Sequence, residues 1–429
     1  MSRLKLSENK THFELDSKPF FLLSDTEWAA FQKLEPEDFR EFVIRRARQG
    51  FNAIQFIVLP CTHDNSPGEK DMHPFHFKDG KYDFYNINDA YFDRAEKMLS
   101  IMKEYGLIPF LHLFWVNYIP ETWGEKSSPD TVMPYECLEP IAEYIINRFK
   151  KYEPIYSVSG DTYFETELVV KYYKTILDVL YRLDPEGLTT LHIGPDAIPP
   201  EELCAHPQYH FYAYQSGHNN NLADPSIGQE NMLRFSKMFL ENPHKKPVMN
   251  TEPCYEGLSF AFEYGRFGAF HVRKAIWQSL LTGATLGVSY GAHGVWQMHR
   301  HGEKYNNAVF AGMPYSRFDA LHFEGAWDAG YSKWLFENYN MTDIVPYTGS
   351  YKARSQKLCC AAKEGLRVAY LPYNDDFTFC EDLSDYDIKV VCLENKRIII
   401  PEVKIENGET IITKSICNED ILIIAKKKT

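Results

Sequence analysis

From about residue 20 to about residue 340, short apolar runs alternate with longer segments whose apolar residues recur every three or four positions. Short continuous apolar runs bounded by turn residues read as buried parallel strands, and the 3.6-residue period reads as helix. Strands are predicted at Phe20–Leu23, Ala53–Leu59, Leu107–Leu113, Ile155–Ser159, Thr189–Ile193, His210–Tyr214, Val248–Thr251 and Leu286–Tyr290. Helices are predicted between them at Glu35–Gln49, Asn88–Tyr105, Pro134–Phe149, Glu165–Leu183, Gln229–Leu240 and Phe270–Thr282. The first opens on a Pro- and acid-rich turn, and the first two stop at Gly50 and Gly106, as helix termini require. Eight strands with intervening helices over ~320 residues is the count of a (β/α)8 TIM barrel. A doubly wound open sheet competes, but its Gly-rich phosphate loop is missing after the early strands.

Beyond Asp343 the period changes to two. Strands are predicted at Lys357–Ala362, Arg367–Tyr370, Asp387–Cys392, Arg397–Ile400, Thr410–Ser415 and Ile421–Ala425, with turn signals at Asn374-Asp375-Asp376 and Asn407-Gly408. The expected fold is therefore α/β: a (β/α)8 barrel over residues 1–342, followed by a small all-β sandwich over residues 343–429. The segment Arg3–Asp16 is expected to form a hairpin that closes the barrel floor or joins the sandwich.

A barrel confines chemistry to the C-terminal tips of its strands. Two carboxylates stand there: Asp161 closes the run from Glu153, and Glu252 closes the run from Pro247. An acid after a strand is often no more than a helix N-cap. Two of them on tips four and seven, nearly opposite across one mouth, are what glycoside hydrolysis needs. Glu256 is a rival carboxylate, but Glu252 lies nearer the strand end. The other tips are polar on apolar stems. They offer Asp25 and Trp28, then Gln55, then His112 and Trp115, with Asp196 on the fifth. Tyr214, Gln215 and His218 follow on the sixth, and Tyr290, His293 and Trp296 on the eighth. Gln215, His218, Tyr290 and His293 suit sugar hydroxyls, whereas His112 suits a satisfied core position equally well. Trp28, Trp115 and Trp296 could converge as a platform for a sugar ring, while Trp277, Trp327 and Trp334 read as packing residues. The loop Cys61–Asn86 is a candidate wall of the cleft.

Composition narrows the classes. A formal net charge of -13 argues against nucleic acid or an anionic membrane surface as partner. No apolar run approaches the ~20 residues of a membrane span, and Met1 leads directly into polar residues rather than an apolar leader. Nine cysteines without paired spacing suit reduced thiols and a cytoplasmic location. His299-Arg300-His301 has a metal-ligand spacing, but no third ligand lies near it in sequence, so no metal and no cofactor is expected. A Gly-x-Ser-x-Gly elbow is lacking, which argues against serine hydrolysis.

The segment Pro19-Phe20-Phe21-Leu22-Leu23-Ser24-Asp25-Thr26-Glu27-Trp28 resembles the opening strand of the apiosidase-like barrels of glycoside hydrolase family 140. Gln49-Gly50-Phe51-Asn52-Ala53-Ile54-Gln55 resembles their second strand. Further matches are Gly160-Asp161, Tyr214-Gln215-Ser216-Gly217-His218, Asn250-Thr251-Glu252-Pro253-Cys254-Tyr255-Glu256 and Tyr290-Gly291-Ala292-His293-Gly294-Val295-Trp296-Gln297, in family order. The resemblance implies a catalytic Asp at Asp161, a catalytic Glu at Glu252 and a C-terminal β-sandwich. It departs in the loop Cys61–Asn86, in the wording around Asp161 and in the missing leader, so the resemblance implies the reaction class and not the sugar. The expected activity is that of a retaining exo-glycosidase on small glycosides. An endo-β-glucanase on the same barrel and a non-catalytic carbohydrate-binding barrel are the alternatives; oligomeric state is left open.

Overall fold

The eight apolar runs pair side by side in a parallel sheet that curls round until its edges meet. A computed structural model describes residues 3–61, 71–218, 231–260, 263–354 and 357–428. The strands are β1 (Leu22–Thr26), β2 (Ala53–Ile57), β3 (Ile108–His112), β4 (Ile155–Ser157), β5 (Thr189–Thr190), β6 (Tyr212–Gln215), β7 (Val248–Glu252) and β8 (Gly287–Tyr290). They order as β5-β4-β3-β2-β1-β8-β7-β6. A parallel bridge from His192 to Ala213 joins the two edge strands. The helices that follow each strand are α1 (Pro36–Arg48), α2 (Asp89–Glu104), α3 (Tyr135–Phe149), α4 (Glu167–Leu183), α5 (Glu201–Cys204), α6 (Asn231–Leu240), α7 (Ala269–Leu281) and α8 (Gly325–Asn338). The fold is the expected TIM barrel.

Inside the barrel the layers change character with height. Leu22, Ala53, Phe110, Ile155, Phe211, Met249 and Leu286 form an apolar lower core. Leu4 and Phe13 cap it from below, on a three-stranded antiparallel sheet of Lys5–Leu6, Phe13–Leu15 and Lys18–Phe20. Of the two places open to the N-terminal segment, it takes the barrel floor. Phe20 accordingly belongs to this sheet, and β1 starts two residues later than its hydrophobicity suggests. One layer higher the inward side chains are polar and hydrogen-bonded to each other. Ser24 Oγ and Ser289 Oγ lie 2.6 Å apart, Gln55 Nε2 donates to Ser289 Oγ at 2.8 Å, and His112 Nε2 contacts Gln55 Oε1 at 3.0 Å. Such a layer is stable in a dry core only because its members satisfy one another.

Two of the eight barrel helices, and a hairpin in the wall loop, are among the elements that escaped the sequence reading. α5 has only four residues. α8 mixes buried Ala326, Ala329 and Leu335 with exposed Trp327 and Trp334, so no single stripe marks it. Within the expected wall loop, Phe75–Lys78 and Lys81–Ile87 pair as a hairpin about Asp79-Gly80, both with positive φ. Residues 62–70 of that loop, and residues 229–230 at the expected start of α6, lie outside the described residues.

The C-terminal region forms two antiparallel sheets. One joins Val345–Pro346, Cys359–Lys363, Leu366–Leu371, Ile421–Lys427, Tyr386–Cys392 and Arg397–Ile399; the other joins Tyr351–Lys352, Phe377–Phe379, Glu409–Ile412 and Val403–Glu406. Phe377, Phe379 and Ile412 pack against Ala369, Val390 and Ile423 across a shared core, which makes the pair a sandwich. Alternate residues Val368, Tyr370, Leu422 and Ile424 face the other way into the barrel's core cluster. Asn407 (φ 52°) and Gly408 (φ 77°) form the expected tight turn. Arg273 of α7 fastens the two units, donating to Asp328 Oδ2 at 2.8 Å on α8 and to Asp420 Oδ1 at 2.8 Å in the sandwich. Cys392 and Cys417 are joined in a disulfide, which corrects the expectation that all the thiols are reduced. Two residues 25 apart could not be paired by spacing alone; the strand order brings their Cα atoms to 5.6 Å. No helix among the described residues is long and apolar enough to cross a membrane.

Candidate active site

A cavity of about 340 Å³ opens at the C-terminal tips of the strands. Asp161 and Glu252 both line it, together with Trp28, Trp115, Gln215, His218 and Trp296. The ninety-one-residue gap between the two carboxylates closes to one sugar-sized space: an oxygen of each lies within 4.8 Å of the other.

Glu252 ends β7 and its side chain is only 8% exposed. Two donors pin one oxygen: Tyr255 OH donates to Oε1 at 2.8 Å and His218 Nε2 donates to it at 2.8 Å. Tyr255 OH in turn accepts from Trp28 Nε1 at 2.9 Å. The other oxygen, Oε2, lies 3.0 Å from His192 Nε2, out of hydrogen-bond alignment, and has no hydrogen-bond partner among the described residues. Burial would raise the pKa of this carboxyl, but His192 and His218 override it and hold the pKa well below the usual 4.5. Glu252 is therefore an anion with one oxygen fixed and one available.

Asp161 sits past the end of β4 with φ 54°, in the left-handed region that Asp tolerates better than most side-chain-bearing residues. Trp123 Nε1 donates to its carbonyl at 2.8 Å and Gln215 Nε2 donates to its Oδ1. The preceding Gly160 is dictated by packing, because a Cβ there would stand 1.8 Å from Cε3 of Trp115. Asp161 is 23% exposed, so it meets solvent more than Glu252 does. Glu256, the rival, faces away from the cavity; Tyr290 OH donates to its Oε2 at 2.6 Å and Gly325 N to its Oε1 at 3.1 Å.

Six expected sugar-binding residues do not line the cavity, and the strand geometry explains each. Asp25 points outward to an ion pair with Arg46 of α1, both fully buried. Tyr214 also points outward, to Ser236 Oγ of α6 at 2.9 Å, and Tyr290 bonds Glu256. Gln55 and His112 point inward but one layer too low, in the polar layer under the site. His293 turns its Nε2 to the carbonyl of Gly312 at 2.9 Å. The reading of the tips did not fix side, because successive side chains alternate sides, and for Gln55 and His112 it missed the depth by one layer.

Several residues of the site were not anticipated, three of them beside the carboxylates or on the cavity wall. Tyr163 and Tyr255 line the cavity, and His192 lies fully buried between the carboxylates. The alternation Thr190-Leu191-His192-Ile193 at the end of β5 does place His192 inward, which is the signal that could have found it. Asp161, His192 and Glu252 each offer a donor atom within 4.8 Å of the others. Both ring nitrogens of His192 face acceptors, however, which suits a protonated ring with no lone pair for a metal. His299 and His301 join no third ligand among the described residues.

The model of the apiosidase-like catalytic domain family matches residues 7–343. The chain belongs to that family. Solved structures share the fold of this apiosidase-like chain at low identity. One described as a glycoside hydrolase superposes with a TM-score of 0.80 at 17% identity, covering 99% of this chain and 97% of the other. A glycoside hydrolase family 5 protein from Bacteroides vulgatus gives 0.80 at 18% identity, covering 99% and 93%. A putative glycoside hydrolase from the same organism gives 0.69 at 14%, covering 99% and 82%. No curated protein matches the chain.

Proposed function

We propose that this apiosidase-like protein is a retaining, exo-acting glycoside hydrolase of family 140 type that acts on small glycosides, with units at residues 1–342 and 343–429. One observation carries the reading: an oxygen of Asp161 and one of Glu252 approach within 4.8 Å at the base of a single cavity. Retaining enzymes hold their two carboxyl groups ~5–5.5 Å apart, whereas inverting enzymes leave ~6.5–9.5 Å for a water. In the first step Glu252 Oε2 bonds to the anomeric carbon, the glycosidic C–O bond breaks, and the Asp161 proton goes to the leaving oxygen. In the second, water gives a proton to Asp161, its oxygen bonds to the anomeric carbon, and the ester to Glu252 breaks. Trp28, Trp115 and Trp296 supply ring faces for the sugar, and Gln215 and His218 supply polar edges.

The small cavity volume, at the low end of the ~300–1,000 Å³ usual for ligand sites, favours exo action over the open groove of an endo-β-glucanase. The close pairing of Asp161 with Glu252 favours catalysis over a non-catalytic sugar-binding barrel, since binding alone does not call for two carboxyl groups within 4.8 Å. A cytoplasmic location stays part of the proposal, on the strength of the thiols outside the Cys392–Cys417 bridge. The test is a panel of nitrophenyl glycosides that includes a β-apioside. One member should release nitrophenol with retained anomeric configuration by NMR. Asp161→Ala and Glu252→Ala should each lower that rate by about 10²–10⁴-fold; a wild-type rate in either removes that residue from the mechanism.

A further inference from the structure

His192 is the charged group the acid–nucleophile pair leaves unexplained. It is fully buried, ringed by Trp115 (centroids 5.4 Å apart, stacked), Trp28 (5.9 Å) and His112 (5.1 Å). Its Nε2 stands 3.0 Å from Glu252 Oε2 and 3.5 Å from Asp161 Oδ1, aligned on neither. Its Nδ1 lies 3.2 Å from Thr251 Oγ1, whose own hydroxyl proton goes to the Tyr214 carbonyl. With that proton on Tyr214, Thr251 Oγ1 accepts from Nδ1, and the Glu252 carboxylate faces Nε2 as an acceptor. Oxygens facing both ring nitrogens favour hydrogen on each, which is the imidazolium form.

The geometry points to His192 as a shared counter-ion that serves Glu252 and Asp161 in turn. This rests on the assignment of those two carboxylates proposed above. At the start of the first step the mechanism requires the negative charge on Glu252 and the transferable proton on Asp161. In the glycosyl-enzyme Glu252 is a neutral ester and Asp161 has become the anion. One negative charge stands beside the imidazolium in both halves of the cycle, and it moves from one side of Nε2 to the other. His192 itself neither gains nor loses a proton, so it is a positioning residue rather than an acid or base. The titratable groups facing it are Asp161, Glu252 and His112. Burial, and then the charge on His192, lower the His112 pKa well below 6.5 and keep that ring neutral. For His192 burial works downward as well, but Asp161 and Glu252 outweigh it and raise its pKa to about 9.

The test is His192→Gln in the full chain, assayed on the best aryl glycoside. Removing the counter-ion should lower kcat/KM, which reports the first step, and kcat, which reports the second with a good leaving group, each about 10–100-fold. The acid limb of kcat/KM should move to higher pH as Glu252 loses its cation. Either parameter staying within about threefold of wild type, or an unmoved acid limb, overturns the proposal. Should the variant fail to fold, 15N NMR of histidine-labelled wild type decides: an imidazolium present at pH 8 is expected, and none overturns it. Asp161→Asn and Glu252→Gln run in parallel separate the two readings. Active carboxylate variants sink the mechanism itself, whereas dead ones beside a wild-type-like His192→Gln sink only the counter-ion.

Discussion

Tyr255→Phe isolates a single hydrogen bond at the nucleophile. The phenyl ring should stay in place, since Tyr255 is packed on His218 with centroids 4.1 Å apart and touches the space over Gly291. What is lost is the 2.8 Å bond to Glu252 Oε1, together with the acceptor for Trp28 Nε1. A hydrogen bond to a charged acceptor is worth ~1.5–3 kcal/mol, or roughly 10–100-fold in rate. Because His218 still donates to the same oxygen at 2.8 Å, the lower half of that range is expected. The effect should fall unevenly on the two steps. In the first, Glu252 is losing charge and the bond contributes little to the transition state. In the second, Glu252 departs as an anion, and the missing donor raises the barrier. The glycosyl-enzyme should therefore accumulate. Rapid mixing with an activated aryl glycoside should show a burst of about one nitrophenol per enzyme, then a slow steady rate with lowered kcat and lowered KM. A kcat within about twofold of wild type and no burst would refute the reasoning, because the bond would then do nothing for the leaving carboxylate.

Two further outcomes follow from the packing and the charges. In Gly160→Ala the new methyl has no room beside Trp115, whose Cε3 is 1.8 Å from its position, so the indole must leave the cavity wall. Turnover should fall by about 10²-fold with altered tryptophan fluorescence, and unchanged values of both would show that the ring has slack. Folding stability should also depend on pH through His192. A group whose pKa rises from 6.5 unfolded to about 9 folded contributes fully below 6.5, and its contribution is lost as pH climbs through 9. That loss is worth roughly 3 kcal/mol at ~1.4 kcal/mol per unit. Glu252, lowered from 4.5, works in the opposite sense: its contribution is present above 4.5 and fades as pH falls. Denaturant unfolding from pH 5 to 10 should thus show stability declining above 6.5 in wild type and less so in His192→Gln; parallel curves would contradict the assignment.

Much of the fold was legible because burial writes itself into the chain at a fixed period. All eight barrel strands fall on predicted apolar runs, and Asn407-Gly408 marks its hairpin because positive φ at two successive residues demands such side chains. The helix α8 left no stripe, since it is apposed on more than one side and still exposes Trp327 and Trp334. At the site, Asp161 and Glu252 were legible because a carboxylate closing an apolar strand stands out locally. His192 was not, because a histidine within a strand reads as core until its neighbours are known.

The sequence by itself determined where strands end, and hence which residues stand near the barrel mouth. Only the tertiary structure decided which of those residues share the cavity. Side chains alternate across a strand every residue, so Asp25, Tyr214 and Tyr290, at the same height as the site, serve the helix layer instead. The approach of Asp161 to Glu252 and the placement of His192 between them depend on barrel closure between β5 and β6. That is a long-range pairing no local pattern encodes.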